Sequence, residues 1–257
     1  MAASAKRIGV GTLFLALLVA AGCGSPSGGG TAGQEAIPRT AWDGHPDLTG
    51  VWEGTALSEQ AYALSELEGL YQPAVKETMK ALTAKDDPAN ACIPYGSPRH
   101  QAMGFPVQIV ESPGGVAILS DRPHMFRYIP TDGRPHLQDV FPTNLGNPVA
   151  RWDVDTLVVD ITSFNGRIWL AGGPQHSPAG GAGGWPTSEA LHVVERWRLI
   201  DANTLEYQAT VEDSNVLTQP WTTPKMTYKR SDAGQIGEGI CIPEGFDFET
   251  PTLAKRE

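Results

Sequence analysis

Positive charge is in short supply. The 257 residues hold 19 Lys and Arg against 29 Asp and Glu, a formal net charge of −10. Nucleic acid is bound through a basic footprint, and a chain this acidic argues against it. The same balance argues against adsorption to anionic lipid. Cysteine is scarce, with three residues and no Cys-x-x-Cys pair. The six histidines include no pair two or four residues apart and no His-x-x-Glu-His run, so no local metal signature is present. No Gly-x-Ser-x-Gly elbow occurs. The glycine-rich stretch Ala179–Trp185 lacks the lysine and the strand–helix setting of a phosphate loop. No motif fixes a reaction, and neither a metal nor another cofactor is expected.

Long apolar runs are missing except one. Ile8 to Val19 follows Lys6 and Arg7 and ends in Val19-Ala20-Ala21-Gly22-Cys23. It is too short to span a bilayer and reads as a secretory signal over residues 1–22. Its ending resembles the lipobox of bacterial lipoproteins. That resemblance implies cleavage before Cys23, acylation of Cys23, and a membrane attachment through acyl chains alone. Gly24 in the next position implies passage to the outer membrane, facing the periplasm. Residues 23–35 are rich in Gly and Ser and read as a flexible tether. One folded domain is expected over 36–252, with a tail at 253–257.

Cys92 and Cys241 sit in matching settings, Ala-Cys-Ile-Pro-Tyr-Gly and Ile-Cys-Ile-Pro-Glu-Gly. In an oxidising compartment such a pair is expected to form a disulfide. The alternative is two free thiols in a metal or redox site.

The body reads as mainly β. Asp47–Gly54 is a first strand. A helical insertion is expected over 58–84, capped by Ser58, with Pro73 in the first turn of its second helix. Period-two alternation then takes over. Val107–Glu111 and Val116–Ser120 flank the turn Ser112-Pro113-Gly114-Gly115. Met125–Pro130 follows, then hairpins 149–162 and 192–212, and a last strand 221–230. About eight strands in antiparallel meander order suit a β-barrel or a strongly coiled sheet, with a two-sheet sandwich as the alternative.

Gly50-Val51-Trp52 resembles the Gly-x-Trp of lipocalins and the wider calycin group. A second resemblance spans residues 48–221. Leu48-Thr49-Gly50-Val51-Trp52, Asp132-Gly133-Arg134-Pro135-His136, Arg151-Trp152-Asp153-Val154-Asp155-Thr156-Leu157-Val158-Val159-Asp160, Leu191–Arg196 and Glu212–Trp221 look like a large group of exported bacterial proteins. It implies export and a β fold, and supplies no reaction.

Several residues could carry chemistry. His192 shares a strand face with Val194, Arg196 and Arg198. The other face holds Leu191, Val193, Glu195, Trp197 and Leu199, so Glu195 is an odd carboxylate on a core face. It needs a partner, either in a structural pair with an arginine or in a ligand site. Asp160 faces a barrel interior or solvent. Arg134 and His136 lie where a strand ends, suited to holding an anion and moving a proton, or to a plain solvated turn. His176 and His192 flank the glycine-rich loop. Trp169 and Trp185 could line an aromatic pocket.

Three readings follow. The first is a lipid-anchored barrel binding a small, partly apolar ligand in a pocket under the 163–187 loop, with Trp169, Trp185, His176, Glu195 and Arg127 around it. The second is a cofactor-free acid–base enzyme (isomerase, lyase or hydrolase) in the same pocket, using His136, His192, Asp160 and Arg134. The third is a structural envelope lipoprotein.

Overall fold

The computed structural model describes residues 36–58, 61–122, 125–172 and 184–242. The signal 1–22, Cys23, the 23–35 tether, His176 with most of the glycine-rich loop, and the tail 253–257 lie outside the described residues.

Ten strands form one antiparallel sheet. They are β1 (Gly50–Gly54), β2 (Val107–Ser112), β3 (Gly115–Ser120), β4 (Met125–Pro130), β5 (Asn147–Asp153), β6 (Thr156–Thr162), β7 (Leu191–Asp201), β8 (Thr204–Asp213), β9 (Trp221–Thr222) and β10 (Met226–Arg230). Their order is β4-β3-β2-β1-β10-β8-β7-β6-β5, with β9 beside β8. Followed as a ring, this is an up-and-down meander closed where β1 meets β10, with Trp52 opposite Arg230. The ladder ends at β4 and β5, which lie against each other. The fold is a nearly closed barrel with its seam there.

Local chemistry explains the elements. Gly114 takes φ +85° in the β2–β3 turn, the left-handed conformation that a type II turn needs after Pro113. The expected last strand, 221–230, divides into β9 and β10. Pro224 lies between them and has no N–H to give a ladder. The helical insertion contains α1 (Leu64–Leu70) and α2 (Pro73–Met79), with Pro73 in its first turn as expected. Ser58 caps less than expected. Its Oγ accepts from the Ala61 N–H at 3.2 Å, but the regular helix begins only after Ala63, which sits at φ +57° with no side-chain cap.

The barrel interior is filled. Trp52, Trp197, Trp221, Tyr62, Tyr207 and Tyr228 are fully buried. A short helix, α3 (Arg99–Ala102), buries all four of its residues, and the Tyr228 hydroxyl donates to the Gln101 carbonyl at 3.3 Å. His100 packs against Tyr95 and Phe105, and burial holds its ring down to about 3, with Arg127 adding to the shift. Glu195 is paired after all: Arg127 Nη1 donates to its Oε1 at 3.0 Å and Nη2 stands 3.0 Å from Oε2. Trp197 Nε1 (3.2 Å), the Tyr207 hydroxyl (3.3 Å) and the Ser97 hydroxyl also donate to it. This pair is a strut across the interior, from the seam strand β4 to β7. Cys92 and Cys241 form a disulfide.

Glu111, at the end of β2, sits near Asp47 and Asp43. Burial pushes its carboxyl up to about 8; the Leu48 N–H, donating to Oε2 at 3.1 Å, opposes this, and the two aspartates reinforce it. From the ordinary value of 4.5 up to about 8, the folded chain therefore holds a proton that the unfolded chain has lost. Stability from this group is complete below that window and is lost as pH rises through it. Glu111→Gln is expected to flatten the decline. Urea midpoints at about pH 5 and about pH 9 check this; a decline as steep as the parent's would place its source elsewhere.

Candidate functional site

The site is built on the outer face of β5, β6 and β7. Alternation sends Leu157, Val159 and Ile161 of β6 into the core and leaves Asp160 outward. On β7 the same rule buries Leu191, Val193, Glu195, Trp197 and Leu199, and turns His192, Val194, Arg196 and Arg198 outward. Register arranges these side chains in rows. Asp160 stands between Val149 and Val194, and Val158 stands between Arg151 and Arg196. The segment after β4 folds over this face, bringing His136, and hides Val158 to 4% exposure. A cleft of about 460 Å³ is left beneath it.

His136, Asp160 and His192 converge. His136 Nε2 lies 2.9 Å from Asp160 Oδ1, and His192 Nε2 lies 3.1 Å from the same oxygen. The far nitrogens also face acceptors. His192 Nδ1 is 3.3 Å from Glu212 Oε2, and His136 Nδ1 is 3.4 Å from Asn147 Oδ1. The Leu137 N–H donates to that Asn147 oxygen at 3.2 Å, which fixes it as an acceptor. Thr162 Oγ1 stands 3.4 Å from His136 Nδ1. A neutral imidazole has one N–H, so each neutral ring serves one of its two carboxylate or amide oxygens. A proton arriving at either ring completes its second bond. The arrangement is chemically competent to take up and pass on protons.

Arg134 lines the same cleft but is held by its neighbour. Its Nε and Nη2 donate to Asp132 at 2.9 and 2.5 Å. Asp160 faces outward, not into the barrel. Glu195 and Arg127 are buried together on the far side of the sheet wall, apart from this cleft. Trp169 and Trp185 are core residues, 6% and 1% exposed. Trp185 packs on Tyr71, its carbonyl accepts from the Leu170 N–H at 2.8 Å, and the Thr187 hydroxyl closes on the Ile168 carbonyl at 2.7 Å. Their bulk is consumed by packing. The described ends of the 163–187 segment are thus tied down, and two cavities lie under residues 131–148 instead. The second, about 410 Å³, sits on the seam beside Phe126, Tyr128, Leu145 and Pro148.

Asn147, Thr162, Glu212, Arg151 and Arg196 were not singled out as site residues by sequence. Each is an ordinary outward strand position until register places it in a row with His192, Asp160 or Val158. Among the described residues no group of three or more His, Cys, Asp or Glu is placed to hold a metal ion; the His–Asp–His cluster is joined by hydrogen bonds.

Fold and site together define a nearly closed antiparallel β-barrel with a small cleft on its outer wall, apolar at its floor and polar at its ends. No known protein family matches the chain, and no curated protein does. Among solved structures it is similar to a secretary abundant heat soluble (SAHS) protein from Ramazzottius varieornatus, at 13% identity over 75% of this chain and 100% of that one, with a TM-score of 0.38. The barrel assignment itself rests on strand order and register.

Proposed function

We propose that this is a lipid-anchored protein of the bacterial envelope, facing the periplasm, that binds a small, partly apolar ligand in the cleft over β5–β7. The observation that carries the reading is a roofed cleft of ligand size with an apolar floor of valines and a convergent polar end at His136, Asp160 and His192. Sites of this make-up bind small molecules by burying apolar surface and fixing orientation with a few polar groups. The lipobox-like ending at Cys23 supports the anchor.

A second reading is favoured by one detail, the two imidazoles that share one carboxylate oxygen. That arrangement suits a cofactor-free isomerase, lyase or hydrolase in the same cleft, with His136 and His192 as acid and base and Asp160 orienting both.

Native mass spectrometry of the protein purified from a bacterial envelope tests the first reading. A retained small-molecule mass, lost in His136→Ala, is the expected result. A retained mass that is indifferent to His136→Ala and Val158→Lys would remove the cleft from consideration. Turnover abolished by His136→Ala and His192→Ala would favour the second reading.

A further inference from the structure

The chain is poor in cations, yet three arginines border this one cleft. Arg151 and Arg196 lie on the strands either side of β6, opposite Val158, and so stand about 10 Å apart at the backbone. Long side chains on such a base can close on a single group. Arg134 reaches the cleft from above. The three differ in how far they are neutralised. Arg134 is held by Asp132 at 2.5 Å, Arg196 reaches Asp153 only at 3.6 Å, and Arg151 makes no ion pair among the described residues. The negative charge at the other end, Asp160, is already covered by two imidazoles.

The rows also set a length. Asp160 and Val158 are two residues apart, which puts the arginine row about 7 Å along the strand from the Asp160 row. Between and beneath them lie Val149, Val158 and Val194. The cleft thus has a cationic end, an apolar floor and a His–Asp–His end within the span of a short molecule.

We infer that the ligand is a compact organic anion, a carboxylate or phosphate on a short apolar chain. Its charged group sits between Arg151 and Arg196, and its other end meets His136 and Asp160. This rests on the small-molecule reading above and names the chemistry of that ligand. A neutral apolar molecule would use the valines and leave the arginines idle. An amine would meet like charge at the open end. A cleft of about 460 Å³ has no room for a polymer.

Isothermal titration calorimetry of the full-length protein with hexanoate, hexyl phosphate, 1-hexanol and hexylamine tests this. Both anions are expected to bind, the tighter one identifying the headgroup, with the alcohol weaker by about tenfold or more. Arg151→Gln/Arg196→Gln is expected to cost hexanoate about tenfold or more while leaving alcohol affinity and the urea midpoint alone. The assignment is overturned if the alcohol binds as tightly as the anions, if the double variant keeps parental hexanoate affinity, or if neither anion binds at millimolar concentration. Imidazole NMR signals of His136 and His192 separate the cleft from the charge of its ligand. Alcohol-induced shifts without any preference for anions would keep the cleft and sink the anion. If no probe moves those signals, the cleft reading falls as well.

Discussion

Arg127→Met is expected to lower the unfolding free energy by about 3–5 kcal/mol, because it leaves the Glu195 carboxylate buried without its cation. Glu195 is 0% exposed and accepts from Ser97, Trp197 and Tyr207, so it has no route to water in the folded chain. Three neutral donors cannot replace a guanidinium. Urea denaturation of Arg127→Met beside Arg127→Met/Glu195→Leu checks the cause. The double variant is expected to be the more stable of the two, since removing both charges also removes the cost of burying one unpaired. A double variant less stable than the single would mean that lost packing, rather than a stranded charge, is what the barrel feels.

The second large effect belongs to Cys92 and Cys241. They are 149 residues apart in sequence, and the chain-entropy view gives about 5 kcal/mol for closing a loop of that length in the unfolded state. Cys92→Ala/Cys241→Ala is expected to lose most of that in urea, and reduction of the parent is expected to reproduce the loss. A parental midpoint that does not move in reductant would show that the bridge contributes nothing to stability. The effect operates on the unfolded chain, whereas Arg127→Met operates on the folded one. The two losses are therefore expected to add.

Much of the fold was legible in the residues. The alternation of 191–199 separated core from surface without error, and Ser112-Pro113-Gly114-Gly115 marked its turn because only a few residue types accept that backbone. Glu195 stood out as a carboxylate on a core face. Its partner did not, since Arg127 lies 68 positions away across the barrel and nothing local singles it out from the other arginines. The site was half legible for the same reason. His136, Asp160, His192 and Arg134 were named from their chemistry, but their meeting depends on β6–β7 register and on the return path of residues 131–146. Trp169 and Trp185 illustrate the opposite failure. A large aromatic beside a glycine-rich loop fits a pocket wall and a core equally well by composition, and packing decides.

The gap between β4 and β5 has a mechanical consequence. A ring stitched by backbone hydrogen bonds all the way round resists any change of diameter. A split ring does not: it can widen at its slit while every ladder stays intact. Here the slit is spanned from within by the Arg127–Glu195 strut and from without by the segment joining β4 to β5, which also roofs the His136 cleft. The clasp across the barrel's slit and the cover of the His136 cleft are thus one stretch of chain, so widening the slit would draw on the same residues that hide Val158.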